Sequence, residues 1–192
     1  KEKCCGLPMM SSGLYDNARK NASVNLASIS KSEVPVLTTS TSCTLMMNDE
    51  YRDILGLSSA GVVPALKFIY QALQSGKRLS FRSDFNARVA YHKPCHGEKL
   101  LLPVFTKKLL RMIPGLNLTE LDSNCCGIAG TYGFKKENYD RAQSIGKALF
   151  DQIGQVNPDY VACECETCKW QIEMSTPYSV RNPISIIAEA LL

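Results

Sequence analysis

Cys95, the adjacent pair Cys125-Cys126 followed by Gly127, and the run Cys163-Glu164-Cys165-Glu166-Thr167-Cys168 place six thiols within about seventy-five residues. Thiolates are soft ligands, and such a density suits zinc, cuprous copper or an iron–sulfur cluster better than it suits packing. The two-residue spacing of Cys165 and Cys168 lets both sulfurs reach one metal or cluster from a single turn. Neighbouring side chains project in different directions, so Cys125 and Cys126 suit separate irons of a larger cluster better than one small ion. Gly127 is read as removing a Cβ where backbone passes close to inorganic sulfide. The N–H groups of Gly127, Ile128, Ala129 and Gly130 are then placed to donate to cluster sulfurs. A thiol–disulfide role for Cys125-Cys126 is the competing chemistry, and a reducing compartment opposes it. Cys163 is expected to point away from Cys165 along a strand end, as a spare. His92 and His96 flank Cys95 and are read as hydrogen-bonded structural histidines, with a donor or proton-carrying role as the alternative.

These side chains need elements to bring them together. Apolar residues at Ala142, Ile145, Ala148, Leu149 and Ile153 fall on one face of a helix over Tyr139–Ile153, which Gly154 is expected to stop. Helices are also expected at about Asp16–Ile29, Val63–Leu73, Leu100–Ile113 and from Ile184 to the C-terminus. Strands are expected at Val34–Thr39, Ala87–His92, Leu116–Leu121 and Asp159–Ala162. Strands alternating with helices imply an α/β fold with mostly parallel sheets, whose sites form beyond the carboxyl ends of the strands. Cys95, Cys125-Cys126 and Cys165/Cys168 each follow one of those strands, so three thiol groups remote in sequence converge on one sheet edge.

A second Cys-Cys-Gly, at Cys4-Cys5-Gly6, is followed by a helix, a strand and Cys43. Cys4 to Cys43 spans 39 positions and Cys125 to Cys165 spans 40. A duplicated unit is the economical reading, with a first repeat over 1–80 and a complete second one over 81–192. Cys4, Cys5 and Cys43 are then candidate metal ligands of an incomplete first site. Met9, Met10, Met46 and Met47 gather round it and are read as core packing.

A net charge of +4, with 45% apolar and 21% charged residues, is ordinary for a globular chain and gives no case for nucleic acid. No apolar run approaches the ~20 residues of a membrane span. An odd number of cysteines, nine, with no apolar leader, favours a reducing cytoplasm and metal ligation over a disulfide scaffold. The first residue is Lys, and Cys-Cys-Gly follows with no strand before it, so a piece of a longer chain is expected.

The order lone Cys, Cys-Cys-Gly, Cys-x-x-Cys resembles the cysteine-rich (CCG) domain family. That family includes the B subunits of heterodisulfide reductases, iron–sulfur subunits of glycolate and lactate oxidases, and one of the subunits of anaerobic glycerol-3-phosphate dehydrogenase. The stretches from Cys125 to Tyr139 and from Cys165 to Ser175 are most similar to the glycerol-3-phosphate dehydrogenase branch. The resemblance implies a non-catalytic electron-transfer subunit. It implies electrons from flavoprotein dehydrogenase subunits, passed towards menaquinone at the cytoplasmic face of the inner membrane. It further implies a [4Fe-4S] cluster, of noncubane type, held by Cys95, Cys125, Cys126, Cys165 and Cys168. Two ferredoxin-like clusters of full-length members lie in an N-terminal region whose Cys-x-x-Cys-x-x-Cys runs are not in this sequence. Met46 stands where the first repeat should have its last Cys, so that site is expected to hold a smaller cluster, hold zinc, or serve as scaffold. The alternatives for the whole chain are a zinc-bound structural docking module, or an iron–sulfur subunit of another respiratory oxidoreductase of the glycolate/lactate oxidase or heterodisulfide reductase type.

Overall fold

A computed structural model describes residues 2–122 and 124–192. The first half runs α1 (Leu7–Met10), α2 (Tyr15–Ile29), β1 (Leu37–Thr38) and α3 (Thr41–Leu45). A π-helical turn at Met46–Glu50 then leads to α4 (Tyr51–Asp53), β2 (Val63–Pro64) and α5 (Ala65–Gln74). The second half runs β3 (Ala87–Tyr91), α6 (Cys95–Lys99), α7 (Pro103–Leu110), β4 (Leu116–Glu120), α8 (Tyr139–Val156), β5 (Tyr160–Ala162), α9 (Glu166–Ser175), β6 (Val180–Arg181) and α10 (Pro183–Ala190). Strands β1 and β2 form one parallel pair. The larger sheet has the order β4-β3-β5-β6, and each of its ladders is parallel. The expected α/β class with parallel sheets therefore holds.

Alternation along the central strands sends side chains to two cores. Ala87, Val89 and Tyr91 pack with Leu109, Leu110 and Ile113 around α7 and with Ile186 and Ile187 of α10. Ala90 and Val161 face the other way, onto Leu149 and Ile153 of α8 and Ile172 of α9. Helices on both faces leave β3 apolar and buried throughout except Arg88, as parallel strands require.

Local differences from expectation have local causes. Helix α8 continues through Gly154 to Val156 and stops at Asn157, whose φ of 48° supplies the left-handed turn. A helical glycine costs about 1 kcal/mol, less than the packing of Ile153 and Val156 against the second core returns. The helix expected over Leu100–Ile113 breaks, because Leu101 has φ 55° and Pro103 opens a fresh first turn at α7. The segment Val63–Leu73 begins as two strand residues before α5, and the strand at Val34–Thr39 shrinks to Leu37–Thr38. Strand β6 is two residues long, too short for any alternation to announce it. Among the described residues, no helix is long and apolar enough to cross a membrane.

Candidate metal centre

Parallel register sets up the site. Tyr91 pairs with Glu120 of β4 and with Ala162 of β5, so three neighbouring strands end at one level. The chain beyond those ends carries Cys95 at the start of α6, Cys125 and Cys126 in the loop after β4, and Cys163, Cys165 and Cys168 into α9. Cys95, Cys125, Cys126, Cys165 and Cys168 all line one cavity of about 120 Å³. A second cavity of about 160 Å³ shares four of those sulfurs and adds His92. All five residues marked out by spacing thus meet. All nine cysteines are free thiols.

Contacts within the group are close. The Cys126 thiol donates to Cys168 Sγ at 3.2 Å, and the Gly127 N–H donates to Cys125 Sγ at 3.3 Å. The hydroxyls of Ser42 and Thr167 lie 3.4 and 3.3 Å from Cys165 Sγ. Hydrogen bonding from Cys168, and then from Ser42 and Thr167, pulls the Cys165 thiol down to about 5 against the opposing push of burial. Its neighbours go the other way. The bond with Cys126, and then burial, raises the Cys125 thiol. Burial, and then the charge of Cys125, raises Cys95. Several thiolates therefore cannot share this cavity unaided, and a bound cation is what deprotonates such a set together. Soft donors, close spacing and a buried wall fit an iron–sulfur cluster or zinc.

Three expectations need correction. Cys163 is not turned away, because strand alternation places Val161, Cys163 and Cys165 on the same face. It is 3% exposed, and its sulfur, that of Cys168 and a nitrogen of His92 lie within 4.8 Å of one another. His92 is not a hydrogen-bonded structural histidine. It is 1% exposed, and neither ring nitrogen has a hydrogen-bond partner among the described residues. Burial holds its pKa down at about 4. His96 does match expectation, with Nδ1 3.0 Å from Ser42 Oγ. Gly127 is needed for a different reason from the one expected. Its φ is +87°, and a Cβ there would lie 2.0 Å from the Ala142 carbonyl oxygen of α8.

Two participants escaped the sequence reading. Ser42 comes from α3, 123 residues away from Cys165, and no local signal marks it. Glu164 lies between two cysteines yet faces the opposite core, accepting hydrogen bonds from Tyr91 Oη at 2.9 Å and from the Thr106 hydroxyl. Burial pushes its carboxyl up to about 7. The alternation that puts Cys163 and Cys165 on one face could have placed Glu164 on the other.

The first group also converges. Cys4, Cys5 and Cys43 line a cavity of about 560 Å³ together with Asn25, Thr38 and Met47. The bond with Cys5 lowers the Cys43 thiol to about 7 and raises that of Cys5. Met46 is fully buried in the core of the first half, beside Cys5, Ala18 and Tyr51.

Sequence comparison agrees with this geometry. The cysteine-rich domain (CCG) family matches residues 1–48 and 89–173. The chain is 47% identical over its full length to the C subunit of anaerobic glycerol-3-phosphate dehydrogenase from Escherichia coli K12, covering 50% of that protein. It is 28% identical over 90% of its length to the B subunit of the fumarate reductase (CoM/CoB) of Methanothermobacter marburgensis, covering 34% of it. It is 29% identical over 83% of its length to lactate utilization protein A of Oceanobacillus iheyensis, covering 68% of it. The chain spans half the length of the Escherichia coli relative. With its thiols set at the ends of adjacent parallel strands and the family pattern matched over both groups, the chain belongs to the cysteine-rich (CCG) domain family.

Proposed function

We propose that this chain is the cysteine-rich part of an iron–sulfur electron-transfer subunit of a glycerol-3-phosphate dehydrogenase complex. The carrying observation is the delivery of five thiols from three strand ends to one cavity, in a chain 47% identical to a subunit of such a dehydrogenase. In this reading, carried over from the family resemblance, Cys95, Cys125, Cys126, Cys165 and Cys168 hold a [4Fe-4S] cluster of noncubane type. When bound, such a cluster supplies a one-electron relay. The chain's own part is to hold and shield it. The Gly127 N–H and the Ser42 and Thr167 hydroxyls stand ready to stabilise charge on the ligand sulfurs; buried Cys126, Cys165 and Cys168 limit water on one side, while Cys95 and Cys125 are exposed. Glycerol 3-phosphate and flavin belong to partner subunits, and electrons leave towards menaquinone at the cytoplasmic face of the inner membrane.

Residues 1–80 and 81–192 are read as two versions of one unit, a proposal supported by the matching spans to Cys43 and Cys165. Cys4, Cys5 and Cys43 are proposed as a smaller metal site, since three thiolates fall short of a closed tetrahedral set.

Anaerobic purification followed by iron, sulfide and zinc analysis with EPR tests the reading. The expected result is iron and sulfide in equal amounts, with the EPR signal lost in Cys125→Ser and in Cys168→Ser. Protein made without oxygen that carries zinc and no iron would establish the docking-module alternative instead.

A further inference from the structure

His92 stands one residue beyond β3, where its backbone N–H donates to the Ala162 carbonyl at 3.0 Å. That bond ties the backbone to the sheet, and His92 lines the thiol cavity beside Cys95, Cys125, Cys126 and Cys168. A buried imidazole ordinarily finds a partner for each nitrogen. This one is 1% exposed and has none among the described residues, while a ring nitrogen lies within 4.8 Å of the Cys163 and Cys168 sulfurs. His96, on the other flank of Cys95, is engaged by Ser42. The contrast matters because every protonation state of imidazole carries at least one N–H.

We propose that His92 donates an N–H hydrogen bond to the ligand sulfur of Cys168 and thereby sets the reduction potential of the bound cluster. The inference rests on the iron–sulfur reading above. His92 acts through Cys168 as a positioning and tuning residue, and it is not itself a ligand. Donation to a ligand thiolate disperses negative charge and favours the reduced cluster.

Three anaerobically loaded proteins decide it: wild type labelled with 15N-histidine, His92→Leu and His92→Gln. Pulsed EPR of the labelled wild type should show a weak nitrogen coupling of the size expected across a hydrogen bond, and equally labelled His92→Gln should lose it, which separates His92 from His96. EPR-monitored redox titration of His92→Leu should show the reduction equilibrium moved roughly tenfold towards the oxidised form, 59 mV for a one-electron couple. His92→Gln keeps an N–H donor and should recover most of that shift. A strong nitrogen coupling would make His92 a ligand and overturn the donor role. Equal shifts in the Leu and Gln variants would reduce it to a packing residue. Should the Leu variant fail to load, the labelled spectrum and the Gln titration still decide. Wild type without iron removes the cluster reading itself, whereas loaded wild type without nitrogen coupling removes only this inference.

Discussion

Cys165 shows how much of the site's chemistry depends on small neighbours. Its thiol sits at about 5, held there by Cys168 and by the Ser42 and Thr167 hydroxyls, so it is the cysteine best prepared to meet a metal as thiolate. Ser42→Ala removes one donor from the charged form and must raise that pKa. In metal-free protein, the pH midpoint for alkylation of Cys165, followed by peptide mapping, is expected to rise. The rate at pH 6 should fall several-fold, in line with the energy of about one hydrogen bond to a charged group. An unmoved midpoint would mean that Ser42 serves His96 alone.

At the scale of elements, α8 fixes the Cys-Cys-Gly loop by close backbone approach. Gly127 meets the Ala142 carbonyl, and a Cβ at Gly146 would lie 2.6 Å from the Cys126 carbonyl. Neither helix nor loop can carry a side chain at these points without separating. Gly127→Ala combines a left-handed φ with a backbone overlap, and is expected to cost about 3 kcal/mol or more. In a chain of this size that lowers Tm by about 6–12 °C. Gly154→Ala on the same helix is the control, because nothing lies within 4 Å of its Cβ position. It is expected to raise stability by about 0.5–1 kcal/mol. Thermal unfolding of both variants checks the pair, and opposite signs are required.

Across the whole molecule the two halves are stitched together. The Thr41 N–H donates to the Glu164 carbonyl at 3.1 Å, and the Asn182 side-chain amide donates to the Thr39 carbonyl at 3.1 Å. Leu66, Ile69, Tyr70 and Leu73 of α5 pack into the core that α7 and α10 build on the large sheet. Residues 1–80 and 81–192 are therefore expected to unfold in one transition, with fluorescence of Trp170 and far-ultraviolet circular dichroism giving coincident midpoints. A segment of 81–192 made alone should bind a dye for exposed apolar surface, having lost the cover of α5. Two separated transitions in the whole chain would show that the halves are independent.

Much of this protein was legible in one dimension. Helices α2 and α8, strands β3 to β5 and the meeting of Cys95, Cys125, Cys126, Cys165 and Cys168 follow from periodicity and from the geometry of parallel α/β units. Those are relations among near neighbours, or consequences of a topology with few alternatives. The tertiary structure decided what distance in the chain conceals. It set the Cys163 sulfur beside Cys168 and His92, left the nitrogens of His92 without hydrogen-bond partners among the described residues, brought Ser42 to Cys165 across 123 residues, and gave Gly127 a carbonyl to avoid. Such contacts depend on which surfaces come to lie against each other, and that is a property of the packed chain that no local pattern carries.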